Sequence, residues 1–361
     1  MSEPASASPA ASLPPVPAPI ERGWAKYLLA LAALVFLPMI PQVRAMLPIE
    51  QTMLLFVPAV AACALVGWWA GGRAFLAIAW VAIAVLVTAT PPEQSNAFYN
   101  LARGWGLLLA GSFGLVCLVA SRGSLLRRAS IALCMTLGLA AAMSVFGRIS
   151  VSEASRTIGD EFSRRNGETL QALNSVIQEH PKEWNDLVAK APPLADLPTQ
   201  TEKDLATLSG AARAVFPALL ALESLAVLAL AWATYHRLGR ARLGSPLRPL
   251  REFRFNDQLV WGLIVGLTIM LVPTLSSLRG LGKNLLVFFG VLYAMRGFGV
   301  LTWFIAPGSL GITVAIGIVL LLAPVLKVFA VLAFMLLGVG ALALGLGDTW
   351  ADWRNRLRST L

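Results

Sequence analysis

The stretch PALLALESLAVLALAW (residues 217–232) is almost wholly apolar and carries a single ionisable side chain, Glu223. Such a run is typical of a helix that crosses a membrane, because a bilayer core about 30 Å thick needs roughly 20 apolar residues. Over the whole 361-residue chain, hydrophobic residues make up 57% and charged residues only 13%, and the mean hydropathy is +0.71. This composition excludes an ordinary soluble protein, in which about a quarter of the residues are charged.

Apolar runs of this kind recur along the chain, and they predict an all-α, polytopic transmembrane helical bundle of about 10 spans. The ten runs lie near residues 24–41, 52–70, 74–90, 104–120, 129–147, 213–235, 258–275, 284–306, 309–325 and 327–346. The third run is short, and only Pro324 and Lys327 separate the last two. Counts of eight or nine spans therefore stay open.

The chain divides into five segments. Residues 1–22 are rich in Pro, Ala and Ser and are expected to be a disordered tail. Two halves of five spans each, 23–147 and 213–347, flank a loop at 148–212, and residues 348–361 form an amphipathic cytoplasmic tail. The 148–212 loop carries charges of both signs on a helical apolar pattern. We therefore expect a helical extracytoplasmic insertion between spans five and six.

The arginine residues predict the orientation of the bundle. They are concentrated in the loops 121–128 and 236–257 and in the tail after residue 347. With ten spans and a cytoplasmic N-terminus, all three segments lie on the cytoplasmic side, as the positive-inside rule requires. The protein is therefore expected to be a multi-pass protein with both termini in the cytoplasm. Basic loops beside the lipid bilayer account for the net charge of +10, so no nucleic-acid partner is expected.

Four polar residues inside the predicted spans are candidates for a binding site: Glu223, Arg296, Asn284 and Tyr293. Glu223 and Arg296 lie near the middle of spans six and eight, where an ionisable group costs about 2.5–3.5 kcal/mol. One hypothesis is that the two charges pair and that all four residues line a cavity for a small solute or ion. The alternative is structural: an ion pair that fixes helix register, and capping and packing by Asn284 and Tyr293.

Known catalytic patterns are absent from the sequence. It contains no P-loop, no G-x-S-x-G, no H-E-x-x-H and no dinucleotide fingerprint. Only two histidines and three cysteines are present, which argues against a His/Cys metal centre. We therefore expect no enzymatic activity, no catalytic residue, no metal and no cofactor.

Three stretches of the C-terminal half carry a resemblance to a known family. They are PLREFRFNDQLVWGLI (249–264), LYAMRGFGVL (292–301) and LGLGDTWADWRNR (344–356), together with the Lys283-Asn284-Leu285 start of span eight. This half resembles the YybS-like family of predicted bacterial membrane proteins, which has no established activity. The family is distantly similar to substrate-binding membrane subunits of uptake transporters and to MreD-like rod-shape proteins. The resemblance implies a bacterial inner-membrane protein with a role in small-molecule uptake or in envelope organisation.

Two main functions follow as expectations. The first is a transport-type subunit that binds a small solute or ion between transmembrane helices and needs an energising partner. The second is a non-catalytic envelope scaffold, whose outer loop engages a protein partner. An intramembrane enzyme that uses Glu223 is a third hypothesis. The sequence leaves the oligomeric state, the substrate and the partner open.

Overall fold

The computed structural model describes residues 24–39, 43–44, 48–90, 96–120, 123–147, 150–238, 243–304 and 327–353. The α-helices in these ranges are α1 (Trp24–Phe36), α2 (Ile49–Trp69), α3 (Ala74–Ala89), α4 (Ala97–Val119), α5 (Leu125–Val145), α6 (Val151–Glu179), α7 (Pro181–Lys190), α8 (Leu197–Ala214), α9 (Phe216–Leu238), α10 (Val260–Leu271), α11 (Arg279–Phe304) and α12 (Lys327–Ala351). Within the described ranges there are no β-strands, so the predicted all-α fold is confirmed. The expected tail 1–22 and the expected span 309–325 lie outside the described residues.

Five helical segments of the described chain are long and apolar enough to cross a membrane. They are Ile49–Trp69, Ala97–Val119, Leu125–Val145, Phe216–Leu238 and Pro273–Thr302. The predicted number of about ten spans is therefore not confirmed. Several predicted spans form shorter helices: α1 has 13 residues and α3 has 16. At 1.5 Å per residue these helices extend about 20 and 24 Å, less than the thickness of a bilayer core.

Proline residues account for two of the early helix ends. Pro38 lies in a 3-10 turn directly after α1, and Pro273 begins another 3-10 segment one residue after the end of α10. A proline nitrogen cannot donate a hydrogen bond to the preceding turn. Pro217 lies in the first turn of α9, where no such bond is needed, and Pro58 lies within the continuous helix α2.

The centre of the bundle consists of α2, α4 and α9, which run in the same direction. Gln51 contacts Glu223 near the starts of α2 and α9, and Gly67 lies against the ring of Tyr235 near their ends. Gly106 of α4 lies against the backbone of Leu54 in α2. The two helices approach closely here because glycine has no Cβ atom. The core between these helices is apolar and includes Leu55, Phe113, Val227 and Trp232.

The helices α6, α7 and α8, residues 150–214, form a polar insertion between α5 and α9. Phe162 of α6 packs edge-on against Phe216 of α9, with ring centroids 6.0 Å apart, and Phe216 packs in turn against Phe98 of α4. Asn166 donates a hydrogen bond to Ser209, which joins α6 to α8. The predicted helical insertion at 148–212 is thus a set of three helices that pack onto one end of the bundle.

The C-terminal helices α10, α11 and α12 pack through glycine contacts. Gly262 of α10 lies against Phe289 of α11, and Gly297 of α11 lies against the carbonyl group of Ala341 in α12. Gly345 of α12 lies in turn against the carbonyl oxygen of Tyr293. The pairs 297–341 and 293–345 run in opposite directions, so α11 and α12 are antiparallel. Because α12 continues to Ala351, the first residues of the expected tail belong to this helix.

Candidate functional site

Glu223 lies in a polar cluster between α9 and α2. Its carboxylate accepts a hydrogen bond of 2.5 Å from Nε2 of Gln51 and one of 2.9 Å from the hydroxyl of Thr52. The next residue, Ser224, accepts a hydrogen bond from the indole of Trp105 at 3.0 Å. All three polar residues Gln51, Thr52 and Glu223 are buried. Among the described residues, the hydrogen-bond donors to this carboxylate are therefore the neutral side chains of Gln51 and Thr52 and not Arg296.

Arg296 has different partners, which lie just before the start of α10 and near the end of α12. Its Nε donates to Asp348 at 2.9 Å and its Nη1 donates to Asp257 at 2.6 Å. Its Nη2 donates to the backbone carbonyl of Asp348 at 3.2 Å. The guanidinium also lies over the ring of Phe255, 5.5 Å from its centre. Arg296 therefore forms a buried ion-pair cluster that joins three segments.

The hypothesis that Glu223 pairs with Arg296 is wrong. Asn284 of α11 contacts Ala218 of α9, so the two helices begin at the same end of the bundle. At 1.5 Å per residue, Glu223 lies about 7.5 Å beyond Ala218, whereas Arg296 lies about 18 Å beyond Asn284. This difference in depth separates the two charges, although each of them is buried.

Asn284 and Tyr293 serve helix packing in the described structure. The Asn284 amide accepts from the backbone nitrogen of Ala218 at 2.9 Å and donates to the carbonyl oxygen of Ala214 at 3.1 Å. These bonds fix the start of α11 against the start of α9. Tyr293 is fully buried, and its ring packs edge-on against Phe255 with centroids 4.9 Å apart.

The structure contains a cavity of about 620 Å³ where the polar insertion meets the starts of α2 and α4. This volume lies in the range of small-molecule sites, about 300–1,000 Å³. We call it the insertion cavity. Its polar lining comprises Arg44, Glu50, Gln51, Asn96, Tyr99, Glu161, Arg164, Arg165, Glu168, Thr169 and Thr201. None of the four residues predicted from the sequence lines it, although Gln51 joins it to Glu223.

Glu161 of α6 is the centre of the charged wall of the insertion cavity. Its carboxylate accepts from Arg164 at 2.7 and 2.9 Å, from Arg165 at 2.8 Å and from Asn96 at 2.6 Å. Arg164 also pairs with Glu168. Burial alone would raise the pKa of Glu161, but the hydrogen bonds and charges of Arg164 and Arg165 outweigh it and lower this pKa to about 2. Glu161 is therefore ionised at physiological pH.

Asn96 connects this charged wall to the membrane helices. Its Oδ1 caps the start of α4 by accepting from the backbone nitrogen of Tyr99 at 2.9 Å, while its Nδ2 donates to Glu161. Arg165 stacks over the ring of Phe98, with its Cζ 4.7 Å from the ring centre. The polar insertion is thus held on α4 by an amide and by a cation–π contact.

Two buried polar groups of the insertion cavity have no hydrogen-bond partner in the part of the chain that the structure describes. They are Nη1 of Arg165 and Oε1 of Gln51. Arg165 is 5% exposed and Gln51 is 2% exposed. A buried donor or acceptor without a partner is costly, by about 1–3 kcal/mol, so each such group calls for a partner such as a water, an ion or a ligand. Both side chains line the cavity, so a molecule bound there lies beside one charged donor and one neutral acceptor.

Sequence reasoning missed the residues of this cavity for two reasons. The predicted second span began at residue 52, so Gln51 was assigned to a loop, although it belongs to the first turn of α2. Glu161, Arg164 and Arg165 lie in a polar segment where charged residues are common, so hydropathy gives no signal for them. The i,i+3 and i,i+4 spacing of Glu161 to Arg164 and Arg165 was the one available indication of a charge cluster.

The described residues contain no group of three or more His, Cys, Asp or Glu side chains that would hold a metal ion. The polar atoms of the insertion cavity are instead guanidinium, carboxylate, amide and hydroxyl groups. Such groups bind and orient a polar molecule through hydrogen bonds and ion pairs.

The apolar helices and the buried polar clusters define a polytopic, all-helical membrane protein that lies in a lipid bilayer. The chain belongs to the DUF2232 family, because the model of this family, described as a predicted membrane protein, matches residues 30–340. No curated protein and no solved structure matches the chain.

Proposed function

We propose that this protein is a transport-type membrane subunit that binds a small polar solute in the insertion cavity. The observation that carries the proposal is a cavity of about 620 Å³ lined by two side chains, Arg165 and Gln51, each of which carries a buried polar atom without a partner among the described residues. Gln51 also donates to Glu223, so the cavity is continuous through hydrogen bonds with a carboxylate inside the bundle. This arrangement links solute binding at one end of the bundle to the membrane helices.

The proposed binding site is the insertion cavity, and Arg296, Asn284 and Tyr293 do not line it. Glu223 keeps a role as the carboxylate that orients Gln51. The chain has no ATPase motif, so movement of the solute would need an energising partner. No enzymatic activity is proposed, because the described residues that line the cavity include neither Ser nor Cys, and their acids are engaged by arginines.

The proposed setting is the bacterial inner membrane. We propose that both termini lie in the cytoplasm and that the polar insertion is extracytoplasmic, since the arginine-rich segment 236–257 then lies inside. In support, Arg254 pairs with Asp352 at 2.6 Å, which places the C-terminal end of α12 beside that segment. We also propose that the chain belongs to the YybS-like family and that it has about ten spans.

Purification of the full chain from native membranes, followed by native mass spectrometry of bound small molecules, tests solute binding. Ala172 lines the cavity on α6, and Ala172→Trp would fill part of it. Gln178→Trp introduces the same bulk at an exposed position of the same helix outside the cavity. We expect a bound solute in the wild type and in Gln178→Trp but not in Ala172→Trp. Recovery of the same small molecules from all three proteins would contradict the proposal.

An envelope scaffold is the second candidate function, and one feature favours it. The far end of the polar insertion exposes apolar side chains: Val176 is exposed on α6 and Leu187 on α7, and α7 has no buried residue. A protein partner would cover these side chains. In that case Leu187→Glu would abolish the recovery of a cross-linked partner chain, and Ala172→Trp would leave it unchanged.

A further inference from the structure

Among the described residues that line the insertion cavity, the charges balance. Three arginines, Arg44, Arg164 and Arg165, accompany three glutamates, Glu50, Glu161 and Glu168. The net charge of these described residues therefore favours neither an anion nor a cation alone. A ligand that is neutral overall and carries both charges matches this surface without leaving an uncompensated charge in a partly buried site.

The positive part of the cavity is Arg165. Its Nε is taken by Glu161, but its Nη1 remains without a partner in the described residues. The stacking of its guanidinium on Phe98 and Phe162 holds the side chain in place. A fixed guanidinium donor that still lacks an acceptor is suited to an oxyanion, either a carboxylate or a phosphate.

The negative part of the cavity lies at the start of α2. Oε1 of Gln51 is a buried acceptor whose own amide nitrogen is already used by Glu223, which fixes the orientation of the amide. Glu50 precedes it, half-exposed and held by Arg44 only at 3.8 Å. A protonated amine would donate to Gln51 Oε1 and be attracted by the Glu50 carboxylate.

We propose that the insertion cavity binds a zwitterion, an oxyanion joined by a short linker to a protonated amine, with the oxyanion on Arg165 and the amine on Gln51. The inference rests on the proposed function and names the class of its solute. Two sources share this chemistry: a free amino acid, and the phosphoethanolamine headgroup of a membrane lipid. The position of the cavity at the end of the membrane helices makes both sources accessible to it.

The test uses the full chain in nanodiscs made of phosphatidylglycerol alone, with binding measured by calorimetry. The probes are L-leucine, its matched anion 4-methylpentanoate and its matched cation 3-methylbutylamine. Glycerophosphoethanolamine and glycerophosphate form the corresponding pair for the lipid source. We expect one zwitterion to bind, and the analogues that lack one of its two charged groups to bind about tenfold or more weakly, because each lacks one charged hydrogen bond. If the source is lipid, nanodiscs that contain phosphatidylethanolamine should also block binding of glycerophosphoethanolamine.

Variants identify the site. Arg165→Gln and Gln51→Met should each weaken binding of the zwitterion by about tenfold, whereas Arg156→Gln, at an exposed position of the same helix, should not. Both variants also lose a contact within the protein, Arg165 with Glu161 and Gln51 with Glu223, so the specific readout is selectivity. Arg165→Gln should leave the binding of 3-methylbutylamine unchanged, and Gln51→Met should leave that of 4-methylpentanoate unchanged. Equal affinity for 4-methylpentanoate and leucine, or for glycerophosphate and glycerophosphoethanolamine, would overturn the zwitterion while leaving solute binding intact. Binding that survives both variants, or binding of neither zwitterion, would also overturn it. Recovery of no small molecule from the native protein would instead remove the proposed function itself.

Discussion

Gln51 and Glu223 are 172 positions apart in sequence, yet the Gln51 amide donates a hydrogen bond of 2.5 Å to the Glu223 carboxylate. This contact closes the gap between α2 and α9 at the end of the bundle that carries the polar insertion. It also fixes which way the Gln51 amide faces, since its nitrogen must point to the carboxylate. The hydrogen bond between Gln51 and Glu223 therefore sets the register of α2 against α9 and also the orientation of a side chain that lines the insertion cavity.

The first prediction concerns the acceptor role of Glu223. Glu223→Leu leaves the buried amide donor of Gln51 without an acceptor, and it leaves the Thr52 hydroxyl only the carbonyl oxygen of Pro48, at 3.3 Å. We expect a loss of stability of about 1–3 kcal/mol, the cost of one unsatisfied buried donor. Glu223→Gln keeps an acceptor oxygen and should cost much less. Thermal unfolding in nanodiscs, followed by tryptophan fluorescence, measures both. Equal melting temperatures for the two variants would show that the hydrogen bonds do not hold the helices.

The second prediction compares how much Asp348 and Asp257, the two acids that bind Arg296, contribute to stability. The side chain of Asp348 is 0% exposed and that of Asp257 is 59% exposed. Asp348→Asn should therefore cost about 3–5 kcal/mol, because it leaves a buried cation poorly compensated. Asp257→Asn should cost less than about 1 kcal/mol, as for other solvent-exposed pairs. The same unfolding assay distinguishes them, and similar losses for both variants would contradict the buried ion-pair cluster.

The fold class and the burial of both charges could be predicted from the sequence, but their partners could not. Hydropathy shows that Glu223 and Arg296 lie in apolar helices, because that property depends only on nearby residues. Which side chains meet them depends on the register of helices far apart in the chain. Asp257 and Asp348 lie in a predicted loop and a predicted tail, outside any predicted span, so hydropathy does not indicate that they contact Arg296.

The third prediction concerns the close contact of α11 and α12. A Cβ atom at Gly297 would collide with the carbonyl group of Ala341, whereas one at Gly290 on the same helix meets no atom within 4 Å. Gly297→Ala should therefore separate the helices and cost about 1–3 kcal/mol. Gly290→Ala should be neutral or stabilising, because alanine favours a helix more than glycine does. If both substitutions had the same effect on the melting temperature, the glycine contact would not be what brings α11 and α12 together.

The fourth prediction is a pH dependence of the polar insertion. Arg164 and Arg165 lower the pKa of Glu161 from 4.5 to about 2. Because the pKa is lower in the folded state, the stabilisation is present above the unfolded value and is lost as the pH falls from about 5 to about 2. With allowance for solvent screening, it amounts to about 1–2 kcal/mol. The melting temperatures of wild type and Glu161→Gln should differ at neutral pH and converge in this acid range. Glu153→Gln, at an exposed position of the same helix, should follow the wild type throughout. A constant difference between wild type and Glu161→Gln across the range would contradict this pKa.

The fifth prediction tests the orientation of the bundle. Lys182 on the polar insertion and Arg248 in the arginine-rich segment are both exposed. In a chain whose three native cysteines are replaced by alanine, Lys182→Cys should react in intact spheroplasts with a maleimide that cannot cross the membrane. Arg248→Cys should react only after the membrane is opened, since arginine-rich loops stay on the cytoplasmic side. A lysed sample of each variant provides the control for reactivity. If both cysteines reacted from the same side, the polar insertion and the segment 236–257 would share one face of the membrane, which would contradict the predicted orientation. If Lys182→Cys reacted only after the membrane is opened, the insertion cavity would open toward the cytoplasm, which would contradict a role in taking up solute from outside.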